Sequence, residues 1–291
     1  MCGVAGSLSW TRLDQPEHVV CICDAMMHRG PDASGVQTSE EVIFGHRRLS
    51  ILDLTNGADQ PMWDHARRFL ISFNGEIYNY KEVRALLSQY GAAFRTQSDT
   101  EVILEAWKHW GVRALQHFVG MFAFALWDSA AHTLYLARDR MGEKPLYFAP
   151  FGDSLCDGVV FASELTALVK HPVVRREVNF DAVVQYLATN YVYSAHSILK
   201  NVHKLAPAHV MIFEKGQAPR TECYWALEDF INHKKTWRSE TEAQAEFHRL
   251  LDQAVTEQRQ SDVPLGAFLS GGVDSSTITG ALTHADPATT L

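Results

Sequence analysis

The chain has 291 residues, 46% of them hydrophobic and 21% charged, which is enough apolar material for a folded core and excludes wholesale disorder. Its formal net charge of −8 lacks the basic excess of a general nucleic-acid binder. The longest apolar run, residues 121–127, is far shorter than the roughly 20 residues of a membrane-spanning helix. With five unpaired-looking cysteines and no secretory signal, we expect a soluble cytoplasmic protein that binds neither nucleic acid nor membrane.

Two strands and a helix are predicted in the first third of the chain. Residues 42–54 and 69–77 are rich in the β-branched and aromatic residues that favour strands. Asn79 and Glu82 form a capping-box pattern, which predicts the start of a helix, and Gly91 predicts its end.

A second helix and a series of short strands are predicted next. Ser98 and Glu101 repeat the capping pattern, and Gly111 marks the expected end of the helix. Because tight turns join the strands that follow, we expect antiparallel pairing and an α+β domain with helices packed on stacked antiparallel sheets. The predicted strands are 120–127, 133–137, 145–148 and 159–162.

The polar stretch 218–238 is predicted to link two domains, residues 2–217 and 239–291. Beyond it, apolar residues at helical spacing predict a helix over 247–255. An apolar strand is predicted at 263–269, followed by a glycine-rich turn and a short helix.

Cys2 is the first candidate catalytic residue. After removal of Met1, its thiol and a free α-amino group would belong to the same residue. An α-amino group has a pKa of about 7.7–8.0, so near neutral pH it can accept the thiol proton. Alone, a cysteine at position two is a weak indication, because most such cysteines have no catalytic role.

Several motifs elsewhere in the chain strengthen the prediction that Cys2 is catalytic. Together they closely resemble the class II glutamine amidotransferases, the N-terminal-nucleophile glutaminases, over nearly the whole chain. In chain order the motifs are CGVAG (2–6), HRGPD (28–32), HRRLSI (46–51), FNGEIYN (73–79), SDTE (98–101), GMFAFA (120–125) and ARDR (137–140).

The resemblance implies the αββα sandwich of these glutaminases and a mechanism of glutamine hydrolysis without a cofactor. The thiolate of Cys2 attacks the glutamine amide, while the side chain of Asn74 and the backbone N–H of Gly75 form the oxyanion hole. Taken alone, the Asn-Gly dipeptide favours a hairpin turn.

The resemblance also implies how the charged groups of glutamine are bound. A guanidinium can hold a carboxylate through two parallel hydrogen bonds, and Arg48 matches the family position for this contact. Asp99 and Glu76 supply negative charge for the ammonium group. A surface ion pair is the alternative for Arg48, and a helix-dipole interaction is the alternative for Asp99. The same pocket is expected to include the backbone of Leu49, Ser50, Ile51 and Leu52.

Residues 269–276 predict a pyrophosphate-binding loop between a strand and a helix, where backbone N–H groups favour phosphate. A plain glycine-rich turn is the alternative. In the ATP-pyrophosphatase fold that this run resembles, ATP is cleaved to adenylate a carboxylate. The resemblance places Leu269 near the adenosine and assigns Asp274 to Mg²⁺. It assigns the pyrophosphate to Ser270, Gly271, Gly272, Ser275 and Ser276.

Within the superfamily, this loop points to the glutamine-hydrolysing B-type asparagine synthetases, ligases whose substrates are aspartate, glutamine and ATP. A homodimer is compatible with the resemblance. Because the chain ends soon after Asp274, we expect a truncated synthetase domain with only the glutaminase half intact. Two alternatives stay open: an amidotransferase that acts on another activated carboxylate, and an inactive remnant that binds glutamine.

Overall fold

The computed structural model describes residues 1–11, 14–193, 195–231 and 236–285. The chain divides into two units, Met1–Ala226 and Leu227–Leu291. Described by itself, the first unit contains two six-stranded sheets in which neighbouring strands pair antiparallel. Its strands, in chain order, are β1 (Gly3–Ser9), β2 (Ala33–Thr38), β3 (Val42–Arg48), β4 (Met62–Trp63), β5 (Phe69–Ile77), β6 (Gly120–Asp128), β7 (Thr133–Arg138), β8 (Tyr147–Pro150), β9 (Gly158–Ala162), β10 (His203–Lys204), β11 (His209–Glu214) and β12 (Arg220–Cys223).

The first sheet has the order β10-β8-β9-β1-β3-β2, and the second has the order β12-β11-β7-β6-β5-β4. The helices of this unit are α1 (Pro16–Ala25), α2 (Tyr80–Gln89), α3 (Asp99–Trp110), α4 (Ala114–His117), α5 (Leu165–Leu168) and α6 (Phe180–Thr189).

Three buried clusters show how these elements form layers. The inner faces of the two sheets meet in a cluster that includes Phe44, Phe161 and Trp127. The outer face of the first sheet packs against α1 and α5. The outer face of the second sheet packs against α2 and α3. The αββα arrangement of helices on two stacked antiparallel sheets is therefore confirmed.

The local predictions differ in outcome. Ser98 caps α3, because its side chain accepts a hydrogen bond from the N–H of Glu101. The predicted capping box at the start of α2 is wrong. The Asn79 side chain instead donates to the carbonyl of His117 and accepts from the N–H of Val119, both at 2.9 Å. Asn79 thus joins the start of α2 to the segment before β6.

Strand β12 lies within the stretch 218–238 that the sequence predicts as a linker. It pairs with β11 at the edge of the second sheet, and all four of its residues are exposed. Because an exposed edge strand needs no apolar side chains, its composition resembles that of a loop.

The second unit contains the helices α7 (Glu228–Ile231), α8 (Glu240–Glu257) and α9 (Val273–Ala285). Helix α8 confirms the predicted helix over 247–255. Val255 packs with Ala281 and Leu282 of α9, whereas Phe247 and Leu250 are exposed. The strand predicted at 263–269 is wrong, because no described residue pairs with it as a neighbouring strand. An apolar run forms a strand only where a partner satisfies its backbone.

The described residues contain no helix that is both long enough and apolar enough to cross a membrane.

Candidate active site

A cleft of about 600 Å³, including its open mouth, lies where the chain start, the loop after β3, β5 and the first turn of α3 meet. Of the residues that the sequence assigns to glutamine chemistry, all except Ser50 line this cleft. The backbone N–H of Ser50 donates instead to Asp32 at 2.8 Å, which fixes the loop behind the cleft. The fold therefore brings residues from distant parts of the chain to one site.

Cys2 lies at the entrance to β1 with its thiol in the cleft. The N–H of Leu49 donates to its Sγ at 3.4 Å. Its carbonyl accepts a hydrogen bond from Nε of Arg29 at 2.8 Å, and Arg29 is held in turn by Glu164 at 2.9 Å. Burial raises the pKa of the Cys2 thiol, so the thiol needs a base to become a nucleophile.

The pKa of the terminal amine beside Cys2 shifts in the opposite direction. Burial lowers the pKa of the Met1 amino group, and the cations Arg29 and Lys144 lower it further, whereas Cys2 and Glu76 oppose this shift. A depressed pKa keeps an amine uncharged near neutral pH, which is the state that accepts a proton. The surroundings of the chain end therefore favour the uncharged form of the terminal amine.

Asn74 and Gly75 lie in the middle of β5, opposite Ala123 and Phe122 of β6, so the hairpin-turn alternative is wrong. Asn74 is buried, and its Nδ2 has no hydrogen-bond partner within the described structure. Buried amide groups without a partner are uncommon and call for an explanation. A Cβ at Gly75 would lie only 2.2 Å from the carbonyl oxygen of Met121, so the strands approach too closely for another residue.

Two carboxylates lie on the same cleft. Asp99 is buried at the first position of α3, and its Oδ2 accepts a hydrogen bond from the N–H of Ile77 at 3.0 Å. Burial raises its pKa to about 7, and the nearby charge of Glu76 adds to the rise. Burial also raises the pKa of Glu76, although Lys144 and the chain terminus oppose this shift. A cation placed between these groups would stabilise both ionised carboxylates.

Arg48 ends β3, and its guanidinium is enclosed by the loop that follows. Nη1 donates to the carbonyl of Thr55 at 2.9 Å and to Oδ1 of Asp59 at 2.6 Å. Nη2 donates to the carbonyls of Leu52 and Asp53. The predicted strand 42–54 ends at Arg48, and the loop that follows folds back around its guanidinium; within this loop Asp53 has a φ of 51°, which a strand does not allow.

Lys144, a buried cation on the wall of the cleft, is not indicated by the sequence motifs. Both of its backbone polar groups are fixed: its N–H donates to Asp139 at 3.0 Å, and its carbonyl accepts from Nε of Arg138 at 2.7 Å. The motif over 137–140 points to this turn but stops before Lys144. The available signal was the Arg138-Asp139 pair with Gly142 three residues later, which predicts a turn.

The predicted phosphate loop belongs to the second unit. Gly271 has a φ of 80°, Ser270 and Ser275 are hydrogen-bonded through their hydroxyls at 3.0 Å, and α9 begins at Val273. Leu269, Asp274 and the other predicted residues of this loop are exposed or partly exposed. The helix start agrees with a phosphate loop, but the preceding strand is missing.

A further cluster joins Asp14, His18 and His171, which no spacing in the sequence had indicated. Asp14 accepts hydrogen bonds from His18 at 2.7 Å, from His171 at 3.0 Å and from Ser7 at 2.6 Å. The N–H of Val173 donates to the other ring nitrogen of His171. Because both ring nitrogens of His171 already have hydrogen-bond partners, this cluster forms a hydrogen-bonded link between β1, α1 and the segment after α5.

Comparison with known sequences identifies the class of protein that this fold and cleft define. A sequence profile described as a glutamine amidotransferase domain matches residues 1–225. The chain therefore belongs to the glutamine amidotransferase family. A second profile, described as asparagine synthase, matches residues 246–290.

Similar proteins narrow the comparison further. Over 96% of its length, the chain is 37% identical to glutamine-hydrolysing asparagine synthetase 1 of Bacillus subtilis, of which it covers 43%. It is 35% identical to a putative asparagine synthetase 2 of Methanocaldococcus jannaschii, covering 97% of this chain and 57% of that protein. It is also 33% identical to amidase chry2 of Gibberella zeae, over 90% of this chain and 38% of that protein. The chain spans about half the length of the relatives it matches.

The similarity to solved structures concerns the fold only, because the sequence identity is low. Glutamine phosphoribosylpyrophosphate amidotransferase from B. subtilis, complexed with ADP and GMP, aligns with a TM-score of 0.57 at 16% identity. The alignment covers 97% of this chain and 64% of that structure.

Proposed function

We propose that the cleft of the first unit hydrolyses glutamine to glutamate and ammonia, with Cys2 as the nucleophile after removal of Met1. The observation that carries this proposal is the unpartnered Nδ2 of Asn74 in the same cleft as the Cys2 thiol. A buried donor without a partner is suited to receive the negative charge that develops when a thiolate attacks an amide.

In this mechanism the N-terminal amine of Cys2 takes the thiol proton, and the thiolate attacks the side-chain carbonyl of glutamine. The oxyanion accepts hydrogen bonds from the Asn74 side chain and the Gly75 backbone N–H. Ammonia leaves with the proton that the amine held, and water then hydrolyses the thioester to glutamate. The negative charge of Glu76 and Asp99 binds the substrate ammonium, while Arg48 and the backbone of Leu49, Ile51 and Leu52 bind its carboxylate side.

The test is glutamate release from glutamine by the chain with Met1 removed, verified by mass. Cys2→Ala should abolish release. Cys156→Ala replaces an exposed cysteine and should leave the rate unchanged. Release that survives Cys2→Ala, or none from the folded, Met1-free chain, would contradict the proposal.

We further propose that the ammonia serves an ATP-dependent ligase reaction in which aspartate becomes asparagine. Similarity to asparagine synthetases over nearly the whole chain and the profile match at 246–290 support this acceptor. In this proposal ATP and Mg²⁺ are bound with the help of residues 269–276, and Asp274 is the residue assigned to the metal. Their hydroxyl and N–H groups suit phosphate, and a carboxylate suits Mg²⁺.

Similarity to amidase chry2, a protein that is not named an asparagine synthetase, leaves another activated carboxylate as the alternative acceptor. Release of pyrophosphate from ATP with aspartate, glutamate and other carboxylates separates the two. Dependence on aspartate supports the first proposal, and dependence on another carboxylate supports the second. A cytoplasmic location, a homodimer and the absence of nucleic-acid partners stay predictions.

A further inference from the structure

The contacts of Arg48 conflict with simple binding of a free amino acid. A guanidinium has five N–H groups, and a carboxylate is held best by two parallel ones. The two Nη atoms, which carry four of these N–H groups, already donate to three loop carbonyls, including that of Thr55, and to the carboxylate of Asp59. A second carboxylate can therefore bind in this way only if an existing partner leaves.

Asp59 is the partner best able to leave. It is the only charged one of the four, and 41% of its side chain is exposed, so water can solvate it after release. The carbonyl partners belong to a backbone that is anchored at both ends. Asp53 accepts a hydrogen bond from the N–H of Gln97 at 2.7 Å, and Gln60 accepts one from the N–H of Phe73 at 2.7 Å.

We propose that Asp59 competes with the α-carboxylate of glutamine for the guanidinium of Arg48. Its carboxylate holds the Arg48 guanidinium before substrate binds, and the substrate carboxylate replaces it on binding. Asp59 thereby lowers the affinity of the site for every ligand that carries this carboxylate. The inference rests on the proposed role of Arg48 in glutamine binding.

The competing explanation is that Asp59 orients Arg48 for the substrate. The two explanations predict opposite signs. If Asp59 competes, its neutralisation strengthens glutamine binding. If it orients the guanidinium, neutralisation weakens binding, because the guanidinium loses its position. General damage to the loop would also weaken binding, so a gain in affinity is a specific result.

The experiment measures ligand binding by calorimetry in the Cys2→Ala background, in which glutamine is not consumed. The ligands are L-glutamine and 4-aminobutanamide, which is glutamine without its α-carboxylate. Asp59→Asn is expected to bind glutamine about two- to five-fold more tightly, the factor that corresponds to the usual strength of a partly exposed ion pair. Binding of 4-aminobutanamide should not change.

Two variants serve as controls, and a third is a substitute for the neutral variant. Asp59→Glu keeps the charge and should bind glutamine like the parent. Asp153→Asn removes an exposed aspartate that pairs with Arg175 at 3.4 Å, and it should have no effect on binding. If Asp59→Asn does not unfold cooperatively in urea, Asp59→Ser replaces it as the neutral variant.

Equal or weaker glutamine binding by the neutral variant overturns the competitor role. An equal gain for both ligands does so as well, because the effect would not depend on the carboxylate. If the parent fails to bind glutamine at all, the proposed function fails together with this inference. Binding by the parent without a gain in the neutral variant refutes the Asp59 proposal alone.

Discussion

Replacing Asn74 by leucine should separate activity from stability. The change keeps a side chain of similar size but removes the amide whose Nδ2 has no partner within the described structure. Because that donor is proposed to bind only the oxyanion, its loss should affect the transition state more than bound glutamine. We therefore expect kcat for glutamate release to fall while KM changes little.

The expected changes in kcat and in the free energy of unfolding differ in direction and in size. Loss of one oxyanion-hole donor reduces kcat by about 10²–10³-fold. Burying an amide without a partner costs about 1–3 kcal/mol, so its removal should leave the free energy of unfolding unchanged or raise it by up to that amount. The mutant should thus be slower without being less stable.

Ser72→Ala provides the matched control in the same strand. The Ser72 hydroxyl donates to the carbonyl of Gly45 at 2.9 Å, so its removal should lower the free energy of unfolding by about 1 kcal/mol and leave kcat unchanged. Glutamate release at saturating glutamine and urea denaturation are measured for both variants. A fall in kcat of less than about tenfold in Asn74→Leu, or a loss of stability larger than that of Ser72→Ala, would refute the reasoning.

Three further predictions follow from the geometry of the cleft and its supports. Gly75→Ala should lower the free energy of unfolding by about 1–3 kcal/mol in urea, because its Cβ would lie 2.2 Å from a carbonyl oxygen; unchanged stability would contradict the close approach. Burial raises the pKa of Asp99 from 3.8 to about 7, so its stabilising contribution is present below pH 3.8 and is lost as the pH rises through 7. Because the ionised Asp99 is proposed to bind the substrate ammonium, the Kd for glutamine should rise towards acid pH, by up to about tenfold per pH unit below 7, and Asp99→Asn should reduce this dependence to the part that Glu76 contributes. Asp139→Asn should lower the free energy of unfolding by about 1–3 kcal/mol, since the carboxylate accepts backbone N–H groups of Phe122, Glu143 and Lys144; equal stability would show that these bonds are dispensable.

The sequence predicts the layers of the first unit well because its signals are local and agree with the packing. The predicted strand 69–77 coincides with β5, and the Ser98 cap begins α3 as expected. Both depend on patterns that the tertiary structure reinforces. The Asn-Gly dipeptide fails as a turn signal because β6 pairs along the whole of β5, and this pairing overrides the local preference.

The remainder of the site depends on contacts that are distant in sequence. Nothing next to Arg48 indicates that Asp59 occupies its guanidinium, because the loop between them must first fold back. Lys144 and Cys2 are separated by most of the first unit, yet both line one cleft. Strand 263–269 fails for the converse reason, since an apolar run cannot supply its own partner.

The position of β1 also dictates an order of events during synthesis. β1 pairs with β3 on one side and with β9 on the other, and the hydroxyl of Ser163 accepts a hydrogen bond from the N–H of Val4 at 2.9 Å. At about 5–20 residues per second, a ribosome completes β9 roughly 8–30 s after β1. For that interval the chain start lacks its second neighbouring strand, so an aminopeptidase can reach Met1 before the first sheet closes around Cys2, the proposed nucleophile.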